Sequence, residues 1–271
     1  LTGLMWPQAE IILAKTAEKY NIPFSLSTVA TETPETVGPH IGDVGWFQLY
    51  PPREIEMNRV FLDRAKTNGF KTLLITADVP TPSRRERTKR AGLNMPQKIT
   101  TSLIWQGIKH PAWSMATMRR GLPALRFVES YSEFNTMMSV GGFVRDRLGG
   151  NLSWDLAARI RDHWDGPVVI KGILHPEDAQ KAVELGFEGI VVSNHGGRQF
   201  DGGPASIDAL SDIVSAVKGK TSIIMDSGLR SGLDIMKAMS RGADFCLLGR
   251  SFIYGVCALG DVGGYHVVEI L

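Results

Sequence analysis

Short runs of apolar residues recur along the chain and are separated by longer segments with helical periodicity. The seven runs that read as strands are Phe24–Thr28, Trp46–Tyr50, Thr72–Thr76, Val168–Lys171, Gly189–Ser193, Ser222–Asp226 and Phe245–Gly249. Most of them are apolar throughout instead of alternating with polar residues, which is typical of parallel strands that are covered on both faces.

The segments between these runs carry helix signals. Gln8–Tyr20 is a candidate helix, and Pro176–Leu185 opens with a proline and stops at Gly186. Ser206 is a candidate cap for the helix that follows it. Because strands and helices alternate, the chain is predicted to form a parallel sheet.

The alternation predicts an α/β fold, a TIM (β/α)8 barrel, in a single domain over residues 1–271. A closed barrel has eight strands, so we expect barrel strand one to lie just before Leu1. The alternative is an open doubly wound sheet. The barrel is favoured because polar residues follow strand after strand at the carboxyl end, where barrel active sites are built. These residues are Ser27, Gln48, Tyr50, Thr76, Asp78, Lys171, Ser193, His195, Asp226 and Arg250.

A long segment from about Ala91 to Leu152 interrupts this rhythm between barrel strands four and five, which are the third and fourth strands of this chain. An insertion of this size at the functional face of a barrel is usually a lid or a binding loop. We therefore expect residues from about 91 to 152 to form a lid or a binding loop.

Composition and charge exclude several classes of protein. The formal net charge of +2 gives no electrostatic case for binding nucleic acid. No apolar run reaches the roughly 18 residues that a membrane-spanning helix needs. The two cysteines make no disulfide framework, and no cluster of His and Cys has the spacing of a zinc site, so no metal is expected. No GxGxxG motif supports a Rossmann fold.

The run Ser193–Gln199 follows a buried strand and holds the most informative side chains of the chain. His195 can exchange a proton near neutral pH. Arg198 can bind a carboxylate through two parallel hydrogen bonds. If both side chains point into one pocket, they predict proton or hydride chemistry on an organic acid.

Lys171 and Asp78 each allow several interpretations. Lys171 ends an apolar strand, where it could neutralise developing negative charge, form a Schiff base, or make an ion pair with a carboxylate such as Asp78. Asp78 could orient and stabilise His195, or it could cap a turn. The residues alone leave these alternatives open.

Two glycine-containing loops suggest a phosphate site. Asp226–Gly232 and Leu248–Ser251 follow the last two strands, where barrels often bind phosphate. Glycines let the backbone approach an anion, and helix amino termini supply N–H donors. Arg230 and Arg250 could add positive charge. The alternative is that the glycines only form tight turns.

Eight sequence blocks, all in order, resemble the FMN-dependent L-2-hydroxy acid oxidases and dehydrogenases, a family that includes glycolate oxidase, L-lactate dehydrogenase and mandelate dehydrogenase. The blocks are Phe24–Thr28, Trp46–Tyr50, Thr76–Asp78, Arg84–Glu86, Val169–Gly172, Ser193–Gln199, Asp226–Arg230 and Gly249–Arg250. The resemblance runs from about Pro7 nearly to the end. It implies a barrel fold, FMN as cofactor, and oxidation of an L-2-hydroxy acid to a 2-keto acid, with flavin N5 as electron acceptor.

The resemblance also implies roles for individual residues. The implied cofactor-binding residues are Ser27, Gln48, Thr76, Lys171, Ser193, Asp226, Gly228, Arg230, Gly249 and Arg250. The implied catalytic set is His195 as general base with Asp78, Lys171, Tyr50 and Arg198. The substrate would contact Arg198, Tyr50, Arg85 and His195.

Within the family, the chain is expected to be a dehydrogenase of the L-lactate or mandelate type. An oxygen-using oxidase is the alternative within the family. Outside it, the alternatives are another enzyme on the same scaffold, such as a flavin-dependent isomerase or a nucleotide dehydrogenase with a phosphate loop, and a non-catalytic flavin-binding barrel. Glycolate oxidase-like members carry a tryptophan where this chain has Thr28-Val-Ala30, so a preference for short acids does not follow. The family's amino-terminal region, with a substrate-binding tyrosine, is outside this chain. We therefore expect turnover from the full-length protein and none from these 271 residues alone.

Expected partners are a small 2-hydroxy acid, an electron acceptor (a quinone, oxygen or another carrier) and further copies of the chain, as in a tetramer. The insertion adds a hypothesis of peripheral membrane contact, with basic residues near lipid headgroups; a lid over the pocket is the alternative. The expected location is the cytoplasm, with contact to the inner membrane surface under that hypothesis. The residues concerned are Leu103, Ile104, Trp105, Ile108, Lys109, Trp113, Met115, Met118, Arg119 and Arg120.

Overall fold

A computed structural model of the chain describes residues 2–80, 86, 90, 100–121, 123–131, 142–144, 146–148 and 152–271. The predicted substrate residue Arg85 and much of the predicted insertion, including residues 91–99 and 132–141, lie outside the described residues.

Within the described ranges, seven parallel strands form one sheet in which each strand pairs with the next along the chain. The strands are β1 (Phe24–Ser27), β2 (Gly45–Leu49), β3 (Thr72–Thr76), β4 (Val168–Ile173), β5 (Gly189–Val192), β6 (Ser222–Met225) and β7 (Phe245–Cys246). A doubly wound sheet reverses its strand order at a switch point. This sheet does not, so the barrel-type prediction is confirmed over the open-sheet alternative. All seven predicted strands are present.

Helices connect the strands and cover the outer face of the sheet. Those with described bounds are α1 (Ala9–Tyr20), α2 (Pro34–Val37), α3 (Ile55–Thr67), α4 (Thr101–Lys109), α5 (Pro111–Arg120), α6 (Arg126–Glu129), α7 (Trp154–His163), α8 (Pro176–Glu184), α9 (Ser206–Val217), α10 (Gly232–Ser240), α11 (Arg250–Leu259) and α12 (Gly263–Ile270). None of the described helices is long and apolar enough to cross a bilayer.

The predicted signals explain α8 but not the start of α9. Helix α8 begins at Pro176 and is followed by Gly186 at a φ of +78°, as the proline and glycine positions predict. The prediction that Ser206 caps α9 is wrong, because the residue before the helix is Ala205 and makes no side-chain cap. The Ser206 hydroxyl instead accepts the backbone N–H of Asn194 at 3.0 Å. It therefore ties α9 to the loop after β5.

The sheet separates two apolar clusters. The larger one fills the space between the strands and the helices, with Phe47, Phe61 and Phe127 fully buried in it. The smaller one lies on the opposite face of the sheet, which is the inner face of the barrel. Its buried members are Leu74, Val169, Val191 and Ile224, with Trp46 and Leu247 packed against them.

A polar layer lies directly above this inner apolar cluster. Side chains two residues apart on a strand point to the same face of the sheet. The next inward positions after the cluster, moving toward the carboxyl ends of the strands, are Gln48, Thr76, Lys171, Ser193 and Asp226. The strands therefore bring five predicted site residues to one edge of the barrel.

The described parts of the insertion are anchored beside β2 and α3. Phe127 packs edge-on against Phe61, with ring centroids 4.9 Å apart. Arg64 donates to Glu35 Oε1 at 2.6 Å and to the Phe127 carbonyl at 3.3 Å. Near the other end, Leu148 forms an antiparallel bridge with the loop after β2. The insertion is thus attached to α3 and to the loop that carries Tyr50.

Candidate active site

Three residues at the carboxyl ends of β1, β2 and β3 form a hydrogen-bonded chain. Ser27 Oγ donates to Gln48 Oε1 at 2.5 Å, and Gln48 Nε2 donates to Thr76 Oγ1 at 2.7 Å. These bonds fix which end of the Gln48 amide is donor and which is acceptor. The structure therefore brings three of the predicted cofactor residues together in a defined orientation.

Lys171 lies at the centre of the polar layer. Its ammonium donates to Ser193 Oγ at 2.8 Å and to Asp78 Oδ2 at 3.0 Å, and it is 3.4 Å from Asp226 Oδ2. Burial lowers the pKa of Lys171, but the charges of Asp226 and Asp78 outweigh that effect and hold the pKa above its ordinary value. A charged ammonium is not a nucleophile, so the geometry favours the ion pair over the Schiff base.

Asp78 pairs with His195 as well as with Lys171. Its Oδ1 is 2.7 Å from His195 Nδ1, and its side chain is only 10% exposed. Burial raises the pKa of Asp78, but the hydrogen bond from His195 and the charges of Lys171 and His195 bring the pKa below its ordinary value. An ionised carboxylate only accepts hydrogen bonds. His195 Nδ1 therefore carries the proton of that bond, and Nε2 is left to accept one.

Two serines contact the turn that carries His195. The His195 N–H donates to Ser193 Oγ at 3.1 Å, and the N–H of Gly196 donates to Ser227 Oγ at 2.9 Å. Ser227 Oγ in turn donates to Asp226 Oδ1 at 2.8 Å. Sequence reasoning missed Ser227, although its place directly after Asp226 in a predicted site loop was a usable signal.

Tyr50 is held near His195 by a residue that sequence reasoning also missed. The two rings have centroids 6.4 Å apart. The Tyr50 N–H donates to the hydroxyl of Thr28 at 3.1 Å, and that hydroxyl donates to the Gln48 carbonyl at 2.7 Å. Thr28 is fully buried. It links the loop after β1 to the loop after β2, and no local sequence pattern predicts such a link.

The glycine loops after β6 and β7 border a cavity of about 480 Å³, whose lining includes Gly196, Gly228 and Arg250. A Cβ added to Gly228 or Gly249 would meet no atom within 4 Å, so both backbones face open space. Arg250 lies against Gly196 and makes no ion pair within the described part of the chain. Open glycine backbones beside a guanidinium that has no ion pair among the described residues fit a phosphate group.

The amino termini of the two neighbouring helices differ. The N–H groups of Arg230 and Ser231, before α10, donate to Asp234 Oδ2 at 3.0 and 3.1 Å. The first turn of α11 has no side-chain cap. Donors for an anion are therefore open at α11, whereas Asp234 already occupies those before α10.

Arg198 has a less defined place than the other predicted residues. It follows His195 by one turn, and its N–H donates to the His195 carbonyl at 3.3 Å. Its side chain is exposed. In the described part of the chain, no group of three His, Cys, Asp or Glu residues is placed to hold a metal ion.

Comparison with known proteins identifies the family. The profile of the FMN-dependent dehydrogenases matches residues 1–271. The chain belongs to that family. It is 40% identical over 273 residues to L-lactate dehydrogenase of Pectobacterium atrosepticum, covering all of this chain and 70% of the relative. It is 41% identical over 272 residues to L-lactate dehydrogenase of Vibrio parahaemolyticus, covering all of this chain and 72% of the relative.

Two solved structures with similar sequences have the same fold. The monotopic membrane protein (S)-mandelate dehydrogenase superimposes with a TM-score of 0.92 at 32% identity, covering 100% of this chain and 71% of that one. Mandelate oxidase superimposes with a TM-score of 0.80 at 32% identity, covering 100% of this chain and 68% of that one. The predicted family, barrel fold, oxidoreductase class and FMN dependence are confirmed, while the roles of individual residues stay predictions.

Proposed function

We propose that this FMN-dependent dehydrogenase oxidises an L-2-hydroxy acid to a 2-keto acid, with His195 as the general base. The observation that supports this most directly is the 2.7 Å contact between His195 Nδ1 and Asp78 Oδ1, beside the ammonium of Lys171. This cluster lies at the carboxyl edge of the strands, where barrel enzymes carry out their chemistry.

The charges of the cluster suit a base that gains a proton. With neutral His195, the formal charges of Lys171, Asp78 and Asp226 are +1, −1 and −1, and Lys171 Nζ is 3.0 Å from the Asp78 carboxylate and 3.4 Å from the Asp226 carboxylate. A proton taken by His195 Nε2 brings the sum from −1 to 0. Asp78 stabilises the resulting imidazolium directly, and it holds the ring so that Nε2 faces away from the carboxylate.

The residues present fit the flavin. Bound FMN supplies the acceptor for the two electrons that leave the substrate. Lys171, with the chain formed by Ser27, Gln48 and Thr76, would hold the ring, and the Lys171 ammonium would stabilise the negative charge that the ring gains on reduction. The ribityl and phosphate groups would lie along Asp226, Gly228, Gly249, Arg230 and Arg250, where the glycine backbones face open space.

Arg198 would bind the substrate carboxylate, and Tyr50 would bind the hydroxyl group, with Arg85 assisting. A dehydrogenase of the L-lactate or mandelate type is supported by the kinds of relatives found. An oxygen-using oxidase is the second candidate, since mandelate oxidase has the same fold. The chain has Thr28-Val-Ala30 where glycolate oxidase-like members carry a tryptophan, so a preference for short acids such as glycolate is not part of this proposal.

Anaerobic flavin bleaching of the full-length protein tests the proposal. L-lactate, L-mandelate, glycolate and longer L-2-hydroxy acids are each mixed with the oxidised, yellow protein, and the reduced protein is then mixed with air or with a quinone. Bleaching by at least one L-acid, and its loss in His195→Gln with the yellow colour retained, is the expected result. No bleaching by any acid, or full bleaching in His195→Gln, would contradict the proposal.

Helices α4 and α5 are proposed to contact a membrane surface. Ile104, Trp105 and Ile108 on α4 are 54–64% exposed, and Met118 on α5 is 78% exposed. Lys109 stacks over the Trp105 ring at 5.3 Å. Apolar side chains beside basic ones are typical of helices that lie in the lipid headgroup region. (S)-Mandelate dehydrogenase, which has the same fold, is a monotopic membrane protein, and this supports a membrane contact of the present chain.

Sedimentation with anionic vesicles distinguishes a membrane contact from a lid. Full-length protein is expected to sediment with the vesicles, and a variant with Ile104, Trp105 and Ile108 changed to Ser is expected not to. A variant with Ser at Leu259, Val262 and Ile270, which are 46–67% exposed and lie away from α4 and α10 in the sequence, is the matched control and should still bind. Binding that is lost equally in both variants, or absent from the wild-type protein, contradicts the membrane proposal.

The assembly of several copies, with a tetramer as the expected state, is part of the same proposal. The exposed apolar side chains of α10, namely Leu233, Met236 and Met239, form a face that another copy could cover. Light scattering on the full-length protein tests this: a monomeric mass at micromolar concentration contradicts it.

A further inference from the structure

The turn that carries His195 has a backbone conformation that is unfavourable for a residue with a side chain. His195 has a φ of +57°, and Gly196 follows at +68°. Ser227, which contacts this turn from the loop after β6, has a φ of +77°. Residues with a Cβ adopt left-handed backbone only at a cost, and such positions persist only where neighbouring groups hold them.

Ser193 holds the turn from the side of β5. Its Oγ accepts Lys171 Nζ at 2.8 Å and the His195 N–H at 3.1 Å, and it is directed as a donor toward Asp78 Oδ2 at 3.4 Å. A hydroxyl has one hydrogen and two acceptor positions, so protein groups use all of them. Ser193 is also fully buried at 0% exposure.

Ser227 holds the same turn from the side of β6. Its Oγ accepts the Gly196 N–H at 2.9 Å and donates to Asp226 Oδ1 at 2.8 Å. The other oxygen of Asp226 is 3.4 Å from Lys171 Nζ. A closed circuit of contacts therefore runs from Ser193 through Lys171, Asp226 and Ser227 back to the turn.

We propose that Ser193 and Ser227 are positioning residues, a serine clamp that fixes the left-handed turn so that His195 Nδ1 meets Asp78 and Nε2 faces the substrate. This inference rests on the proposed function. Ser193, which the family resemblance assigns to the cofactor, acts through the backbone of His195. Ser227 supports the same turn and connects it to the charge cluster of Asp226 and Lys171.

A double-mutant cycle tests the clamp in the full-length protein. Ser193→Ala is expected to slow anaerobic flavin reduction about thirtyfold, which is about 2 kcal/mol at 1.36 kcal/mol per tenfold change, with KM within about threefold. In an Asp78→Asn background, Ser193→Ala should lower the rate of flavin reduction less than about threefold, because the contact between Asp78 and His195 that the clamp maintains is already lost. Ser227→Ala should slow reduction about tenfold.

Ser25→Ala is the matched control for the cycle. The Ser25 hydroxyl is buried on the inner side of β1 and has no hydrogen-bond partner in the described part of the chain. Removing it should leave the rate unchanged. Two results overturn the clamp. One is a double variant whose loss of flavin-reduction rate is the product of the losses from Ser193→Ala and Asp78→Asn. The other is a Ser193→Ala variant with weakened FMN affinity and an unchanged rate at saturating FMN.

A second measurement does not depend on turnover. The ring 15N shifts of the histidines are read through their carbon-bound protons, and His195→Gln assigns the signals. One fixed tautomer gives His195 two widely separated ring shifts, which should converge in Ser193→Ala and stay apart in Ser25→Ala. His163, whose Nε2 is 3.0 Å from Asp63 on the surface, is the internal reference. Unchanged His195 shifts in Ser193→Ala overturn the clamp. Wild-type protein that no acid bleaches overturns the proposed function, and the histidine shifts still decide the clamp.

Discussion

Changing Asp78 to Asn tests the proposed chemistry most directly. The substitution keeps the size of the side chain and removes one negative charge from a site that is 10% exposed. Asp78 Oδ1 accepts from His195 and Oδ2 from Lys171. An Asn can present its oxygen to only one of them, so its NH₂ group must face either the Lys171 ammonium or the proton on His195 Nδ1.

The expected loss follows from the charge that disappears when His195 becomes an imidazolium. Opposite unit charges whose centres are about 4 Å apart attract by about 4 kcal/mol at an effective dielectric of about 20. Since about 1.36 kcal/mol changes a rate tenfold, Asp78→Asn should slow the reductive step about a thousandfold. The effect should fall on kcat, because Asp78 contacts the base and not the substrate.

Stopped-flow mixing of the full-length, FMN-loaded protein with substrate under anaerobic conditions measures this step. FMN content and KM are expected to change less than about fivefold, since the change acts on the imidazolium of the transition state. Asp63→Asn is the matched control, because Asp63 also pairs with a histidine at 3.0 Å but lies on the surface. A rate for Asp78→Asn within tenfold of the wild type would refute the assignment of His195 as a base stabilised by Asp78.

Three further predictions concern backbone, charge and packing. A Cβ on Gly172, whose φ is +103°, would lie 2.7 Å from Asp78 Cγ, so Gly172→Ala should slow flavin reduction about a hundredfold; Gly69→Ala, at a φ of +88° with open space around it, should not. The hydrogen bond from Arg64 lowers the pKa of Glu35 from 4.5 to about 2. Because the pKa of Glu35 is lower in the folded state, its ionised carboxylate stabilises the fold above pH 4.5, and this stabilisation is lost as the pH falls toward 2. Glu35→Gln should therefore cost about 1 kcal/mol at pH 7, a value discounted for solvent exposure, and less in urea titrations at pH 3; an equal cost at both pH values contradicts this. Phe127→Ala should lower the free energy of unfolding by about 3–5 kcal/mol, and a loss below 1 kcal/mol in urea titration contradicts its place in the core.

The strands could be predicted because fully buried parallel strands leave a local signature. Val191 and its neighbours in β5 are all buried, as are all five residues of β3. A strand that is covered by helices outside and by the barrel interior inside has no polar face, so its sequence is a continuous apolar run. Helix ends were less predictable. Ser206 looks like a cap, but its hydroxyl is used by the loop after β5.

The insertion and its attachments could not be predicted in the same way. Leu148 pairs with Pro52, and Arg64 joins Glu35 to the Phe127 segment. These contacts connect residues far apart in the chain, and the sequence around one partner does not indicate which residue the other partner is. Their geometry depends on how α3 packs on the sheet.

What the sequence by itself determined is which side chains reach the carboxyl edge. The positions of Thr76 and Asp226 follow from strand ends, and strand ends follow from local apolar runs. Lys171 ends the predicted apolar run, although β4 continues to Ile173. Tertiary structure alone decided how these groups pair. The register of β4 shifts around Gly172, whose missing side chain leaves room for Asp78. Hydrogen bonds and ion pairs need their atoms to lie about 3 Å apart. Whether two side chains come that close depends on register, twist and backbone strain across several strands. That is why Ser193 and Ser227 could be recognised as supports of His195 only in the folded chain.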